Sequence, residues 1–141
     1  MGGTTKSTVK KLEVLQKKAL RIIANAPYNA HTTPICANLG IMKMQDIYEL
    51  QLARFIYSLY NNQVPKPLKT FFSLNSDIHQ YNTRNRNNPV LRLHKTNVAA
   101  RSIYTRSYKL WYDMESDIKC STSLKTFTKK YKRNILHKYT G

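Results

Sequence analysis

The amino-acid sequence predicts a mainly α fold, a helical domain around a buried central helix with a short irregular or two-stranded segment near residues 78-104. Residues 44–60 carry apolar side chains around most of a helix circumference, which is typical of a buried helix. Segments on both sides of it repeat apolar residues at helical spacing beside many lysines. With 141 residues, 41% of them hydrophobic, the chain is long enough to bury a core.

The first helix is predicted from Thr8 to about Asn25, within a helical part at residues 7-74 that follows a flexible start at residues 1-6. One broad face of this helix is apolar, and the other side carries a narrow basic stripe. A lysine-rich face is usually a solvated surface, but only Glu13 in this helix can neutralise it, so the stripe is a candidate phosphate contact. The apolar face comprises Val9, Leu12, Leu15, Gln16, Ala19, Leu20, Ile22 and Ile23. The stripe comprises Lys6, Lys10, Lys17 and Arg21, flanked by Lys11 and Lys18.

A short second helix and the central helix follow. Thr33 before a proline predicts an N-cap, so a helix over residues 34–39 is expected, and Gly40 predicts its left-handed end. The central helix is predicted from Met44 to Tyr60, with a carboxylate, Asp46, at the positive end of its dipole.

Residues 75-104 form a basic segment without sustained helical periodicity, in which residues 81–84 and 90–94 could be two short strands. No Asp or Glu occurs from Ile78 to Tyr112, and arginines alternate there with aromatic residues. Arginine matches phosphate geometry, and aromatic rings can stack on unpaired bases. Alternatively, the aromatic residues belong to the core and the arginines only increase solubility. Candidate contacts are Arg84, Arg86, Arg92, Arg101 and Arg106, whereas Ile103, Leu110 and Trp111 are expected in the core on either interpretation.

The C-terminal helical part, residues 105-141, is predicted to end in a helix that Ser121, Thr122 or Ser123 can cap. Its apolar stripe is narrow, so the helix is expected to dock onto the domain and not onto a membrane. Residues from Tyr139 onward are expected to fray. The stripe comprises Leu124, Phe127, Tyr131 and Ile135, and the remaining surface carries Lys125, Lys129, Lys130, Lys132 and Arg133.

The net charge of +17, from 24 Lys and Arg against 7 Asp and Glu, predicts a polyanionic partner, with nucleic acid ahead of an anionic membrane. Cys36 and Cys120 form no recognisable disulfide framework, so an intracellular, reducing compartment is expected, the nucleus, the cytoplasm or both. No catalytic motif is present, and His31 with Cys36 lacks the further ligands that zinc needs. No catalytic residue, metal or cofactor is therefore predicted.

Six segments also carry a family resemblance. They are residues 15–23 (LQKKALRII), 27–34 (PYNAHTTP), 44–51 (MQDIYELQ), 79–85 (HQYNTRN), 109–112 (KLWY) and 123–130 (SLKTFTKK). In this order and spacing the chain resembles the region downstream of the catalytic core in non-LTR, LINE-like (jockey-type) retrotransposon reverse transcriptases. It departs from that family at residues 111–115, where a Leu-Pro turn is usual and no proline is present.

The resemblance implies a thumb-like, post-catalytic portion of an RNA-directed DNA polymerase. Such a portion would bind RNA or an RNA–DNA template-primer through its backbone, by charge and shape, and would pack on the catalytic polymerase segment of a parent protein. Catalysis would belong to that parent, so this chain alone is not expected to be an enzyme.

Two other functions remain open from the sequence. The chain could be a protein-interaction or assembly module whose charge serves only solubility, or a translated retroelement remnant without a selected function. The sequence leaves the oligomeric state and the preference for RNA or DNA undetermined.

Overall fold

A computed structural model describes residues 6–69, 73–84, 86, 88, 90 and 102–140 of the chain. The mainly α prediction is confirmed, because these residues form helices and no strand. The helices are α1 (Lys6–Ile23), α2 (Thr32–Leu39), α3 (Met44–Tyr60), α4 (Lys66–Lys69), α5 (Asn75–Ile78), α6 (Ile103–Asp113), α7 (Ser116–Lys119) and α8 (Leu124–His137). None of these helices is long and apolar enough to cross a membrane.

Helix α3 lies at the centre of the core, as its all-round apolar pattern predicts. It packs against α8, α6 and α1, and it begins and ends at the predicted residues. The predicted apolar stripe of α8 is also confirmed, since it packs directly on α3. The core cluster comprises Leu50, Ala53, Ile56 and Tyr57 of α3, Trp111 and Met114, Ile118 of α7, and Phe127, Tyr131 and Ile135 of α8.

Aromatic pairs fix α3 against its neighbours. The rings of Tyr57 and Phe127 stack with centroids 4.4 Å apart, and those of Tyr60 and Trp111 stack at 4.3 Å. The buried Tyr57 hydroxyl donates a hydrogen bond to the carbonyl of Ser121, 2.6 Å away. A buried ring pair contributes about 0.5–1.5 kcal/mol beyond its area. These contacts therefore join the central helix to α6 and α8 in a defined register.

The start of α3 is held by side chains that are distant in sequence. Lys43, the N-cap residue, provides no side-chain cap. Instead, Gln16 of α1 accepts from the Met44 N–H (2.9 Å) and donates to the Met42 carbonyl (2.9 Å). The Tyr139 hydroxyl accepts from the Lys43 N–H at 3.1 Å and donates to the Asp46 carboxylate. The expectation that Tyr139 frays is thus wrong, because its hydroxyl is hydrogen-bonded to Lys43 and Asp46 at the N-terminus of α3.

Only part of the predicted apolar face of α1 is buried. Leu20 is buried, whereas Leu15, Ile22 and Ile23 are 61%, 80% and 63% exposed. Successive residues turn by ~100° around a helix, and α1 meets α2 and α3 along the side that carries Gln16 and Leu20. The rest of the predicted apolar face therefore points away from the core.

The residues that end or cap the helices agree with the prediction, except at the start of α2. Gly40 ends α2 in the left-handed region, with φ of 62°, and Ser123 caps α8 by accepting from the Thr126 N–H at 3.2 Å. Helix α2 begins at Thr32 and has His31 as its N-cap, so Thr33 is not the cap. Prolines tolerate the first turn of a helix as well as its first position, which allows this earlier start.

Between α5 and α6, the basic segment is irregular where it is described. Residues 81–84 form no strand, and residues 91–94 lie outside the described part of the chain. Instead, the Val90 N–H donates to the Ser73 carbonyl (2.8 Å) and the Ser76 N–H to the Arg86 carbonyl (2.8 Å). The prediction of a strand at 81–84 is wrong, because the backbone there forms local turns: the Thr83 N–H donates to the Tyr81 carbonyl and the Arg86 N–H to the Thr83 carbonyl.

Helix α6 corrects one core assignment. Trp111 is buried and Leu110 packs against the core, but Ile103 is 49% exposed. Ile103 is the first residue of α6, directly after the capping Ser102, whose hydroxyl accepts from the Thr105 N–H at 3.3 Å. The helix end thus lies at the edge of the core.

Candidate nucleic-acid interface

The few carboxylates of the chain serve internal contacts. Asp117 and Lys130 form an ion pair at 2.8 Å, and no second one is found in the described part of the chain. Most basic side chains therefore have no carboxylate to neutralise them. Five of the seven carboxylates accept hydrogen bonds within the domain: Glu13 from Gln45, Asp46 from Tyr139, Asp77 from the Leu74 N–H, Glu115 from Asn134 and Asp117 from Lys130.

Several carboxylates also share one groove, of about 920 Å³, between α1, α3, α6 and α8. Two residues predicted to bind nucleic acid, Lys10 and Arg106, line the same groove. The Arg106 guanidinium lies 5.7 Å from the centroid of the Tyr48 ring. Lys109 and Lys138 line the groove as well, so its cations and carboxylates are balanced in number, which weakens the attraction of Lys10 and Arg106 for phosphate. The carboxylates of the groove are Glu13, Glu49, Asp113 and Glu115.

The other predicted residues of α1 differ in their surroundings. Lys17 is exposed and borders a second cleft that also contains Asp46. Lys18 is exposed and lies ~100° further round the helix. Arg21 is half-buried, and its Nε donates to the Ala30 carbonyl at 3.0 Å, so this arginine holds the loop after α1. The first-helix residues thus do not form one uniform cationic surface.

The predicted arginines of the irregular segment are only partly described. Arg84 and Arg86 are exposed, and Arg86 Nη1 lies 3.5 Å from Asn82 Oδ1, a weak contact. Arg92 and Arg101 lie outside the described residues. Phosphate binding by these four arginines stays a prediction.

The clearest uncompensated cationic surface belongs to α8, which the sequence interpretation had treated only as remaining surface. Four basic side chains are exposed there on the side opposite the buried stripe, and no Asp or Glu occurs in this helix. At 1.5 Å per residue they span ~12 Å along the axis. The spacing i, i+4, i+7, i+8 without an acid was the available sequence signal. We call Lys125, Lys129, Lys132 and Arg133 the α8 ridge.

Such a ridge can bind a polyanion but cannot read bases. Lysine is a mobile point charge that contacts phosphate oxygens without sequence information. The neighbouring Lys130 is held by Asp117 and serves to dock α7 on α8. The arrangement thus suits electrostatic attachment to a sugar–phosphate backbone.

Other chemistry has little support in the described part of the chain. No three His, Cys, Asp or Glu side chains converge there as a metal site requires. Cys36 is buried, and burial raises the pKa of its thiol, which makes it a poor nucleophile. Cys120 is an exposed free thiol after α7.

No protein-family model, no curated protein and no solved structure matches this chain.

Proposed function

We propose that this chain is a non-catalytic, C-terminal portion of an RNA-directed DNA polymerase of a non-LTR retrotransposon, which holds RNA or an RNA–DNA template-primer by its backbone. The polymerase assignment rests on the resemblance of the six sequence segments. The binding role is supported by one observation above all: a net charge of +17 on a fold whose carboxylates are mostly engaged in its own contacts.

The binding would act through phosphate neutralisation. Each phosphate contact releases a condensed counterion, so affinity falls as salt rises, with a log–log slope of about −0.7 to −0.9 per contact. The α8 ridge is the surface best suited to such contacts. Duplexes that contain RNA present an A-form backbone that proteins recognise mainly by shape.

The parent polymerase would supply catalysis. The chain would work in a reducing intracellular compartment, nucleus or cytoplasm, which agrees with its two free cysteines. Its partners would be the nucleic acid and the catalytic polymerase segment.

The proposal is tested by measuring the affinity of the full chain for an RNA–DNA hybrid duplex at several salt concentrations. Lys129→Glu/Arg133→Glu should weaken binding at low salt by at least about tenfold and reduce the salt slope by about 1–2. Lys10→Glu/Lys17→Glu tests the predicted stripe of α1 in the same way.

Lys66→Glu/Lys69→Glu is the matched control, because it changes the net charge equally at exposed positions of α4. Equal weakening by the ridge variant and this control would assign binding to net charge without a defined surface. Absence of binding to RNA, hybrid duplex and heparin at low salt, in a cooperatively folded chain, would refute the proposal.

A further inference from the structure

The exposed apolar side of α1 has the spacing of a helix–helix seam. Leu12, Leu15, Ala19 and Ile22 follow one another at intervals of three, four and three residues. Leu12, Leu15 and Ile22 are 44%, 61% and 80% exposed, and Ala19 is exposed as well. This is the alternation of a and d positions in a heptad, over ~15 Å of helix. We call these four residues the α1 seam.

The seam is presented on a firmly held helix. Glu13 accepts from Gln45 at 2.6 Å, and the Gln16 amide forms two hydrogen bonds at the start of α3. Arg21 fixes the other end of α1 to the Ala30 carbonyl. Helix α1 packs on α2 and α3 by its Leu20 side, so the seam is preformed. A preformed surface binds without the ordering cost of a flexible segment.

The charges beside the seam select the partner. With Leu12 as position a, Lys11 and Lys18 occupy both g positions, and both are exposed. Residues at g pair across a coiled coil with charged residues of the partner, which sets partner choice. Lysine at both positions favours a helix that carries Glu or Asp opposite them.

A second copy of this chain fits poorly. In an antiparallel pair the g positions face each other, so Lys11 and Lys18 would meet lysines. In a parallel pair they would face Gln16, whose amide is already bonded to Met42 and Met44, and the apolar Ile23. A chain with a net charge of +17 also repels itself.

We propose that the α1 seam is a docking site for an acidic amphipathic helix of another polypeptide, with apolar a and d residues and carboxylates opposite Lys11 and Lys18. This inference does not depend on nucleic-acid binding, since the apolar seam residues are distinct from the α8 ridge and from the predicted basic stripe of α1, with which the site shares only the flanking Lys11 and Lys18.

A model peptide tests the site. The probe is a 21-residue helix with Leu at a and d and Glu at e and g, labelled for fluorescence anisotropy, and its counterpart has Lys at e and g. The acidic peptide should bind the full chain, and Leu15→Glu/Ile22→Glu should weaken that binding at least about tenfold, because charges would enter the apolar seam. Both positions are exposed, so the melting temperature should stay close to that of the unchanged chain.

Charge reversal at the two g positions tests whether these lysines select an acidic partner. Lys11→Glu/Lys18→Glu should weaken the acidic peptide about tenfold and allow the lysine peptide to bind. The matched control, Lys66→Glu/Lys69→Glu, should change the affinity for the acidic peptide less than about twofold, since it alters net charge equally on another helix, α4, and leaves the seam and its g positions intact.

Three results would overturn the proposal. One is peptide binding that the seam substitutions leave unchanged, which would indicate non-specific attraction to a cationic protein. Another is a dimer of the chain, seen by sedimentation and lost in Leu15→Glu/Ile22→Glu. The third is binding to phosphatidylserine vesicles through the seam in place of the peptide. Affinity of the seam variant for the RNA–DNA hybrid is measured in parallel, so that failure of this site and failure of the proposed function are distinguished.

Discussion

Ser107 shows how a single side chain can oppose the stability of the fold. It is fully buried in α6, and its hydroxyl has no hydrogen-bond partner among the residues that the structure describes. A buried polar group without a partner costs about 1–3 kcal/mol. Its small size, on the other hand, suits a position with no exposed surface.

Replacing this serine by alanine should therefore stabilise the protein. Ser107→Ala removes the unpaired hydroxyl, keeps the small volume and improves helix propensity. We expect the melting temperature, followed by circular dichroism, to rise by about 2–8 °C. Ser107→Val is the contrasting variant and should lower it, because the site has no room for added methyl groups. A lower melting temperature for Ser107→Ala would mean that the hydroxyl is bonded.

Tyr139 makes the stability of the fold depend on pH in the alkaline range. Burial and its hydrogen bond to Asp46 raise the pKa of the Tyr139 phenol above the ordinary value of about 10. Burial similarly raises the pKa of Tyr131. The unfolded chain therefore loses these protons at a lower pH than the folded chain does. Stability is retained below about pH 10 and falls as pH rises through the range between the two pKa values.

Tyr139→Phe separates this effect from the titration of lysines. The variant should be less stable than the unchanged chain at pH 7, by about 1–3 kcal/mol, because it loses the bonds to Asp46 and Lys43. The difference in free energy of unfolding between the two proteins should shrink from pH 9.5 to 11.5, as measured by urea denaturation. The lysines are the same in both proteins, so their contribution cancels in the difference between the two free energies of unfolding. A difference that does not change with pH would contradict the raised pKa.

At the scale of elements, the start of α3 depends on α1. Helix N-termini leave backbone N–H groups unsatisfied, and the N-cap Lys43 has no side chain that can accept. Gln16 accepts from one of these groups, at Met44, across 28 residues of sequence separation. The amide thus ties the orientation of the first helix to that of the central helix.

Gln16→Ala should lower the free energy of unfolding by about 1–3 kcal/mol, because the Met44 N–H and the Met42 carbonyl lose their partner. Gln51→Ala is the matched control. Gln51 is exposed on α3, and within the described part of the chain it accepts a hydrogen bond from Arg54 alone, at 3.3 Å. Its replacement should therefore lower the free energy of unfolding by less than about 0.5 kcal/mol. Equal effects of the two substitutions in urea denaturation would exclude the capping role of Gln16.

For the whole molecule, uncompensated charge is the dominant constraint. The described residues contain one ion pair, Lys130–Asp117, against a net charge of +17 for the chain. Like charges on a compact surface repel one another, and unfolding separates them.

Salt should therefore stabilise the fold. Raising NaCl from 0.02 to 0.3 M shortens the screening length from about 20 Å to less than 10 Å. We expect the melting temperature to rise by several degrees, and a short heparin fragment at micromolar concentration should raise it further at low salt, by binding the folded state. A melting temperature that falls with salt would mean that attractive pairs dominate the surface.

The sequence was most informative where a local pattern and the core agree. Residues 44–60 are apolar on nearly every side, so only a buried helix suits them, and both ends of α3 were predicted correctly. The stripe of α8, the cap at Ser123 and the left-handed Gly40 are likewise local features. The irregular segment lacked such a pattern, and its weak alternation at 81–84 was mistaken for a strand.

The sequence by itself determined the helical class, the central helix and the surplus of positive charge, because composition and periodicity are properties of the chain. Only the tertiary structure decided which side of α1 faces the core. It also showed that Gln16 and Tyr139 accept hydrogen bonds from backbone N–H groups at the start of α3, and that the α8 ridge is the clearest cationic surface without neighbouring carboxylates in its helix. The physical reason is that periodicity in the sequence defines the apolar face of a helix, whereas the burial of that face depends on which other helices pack against it.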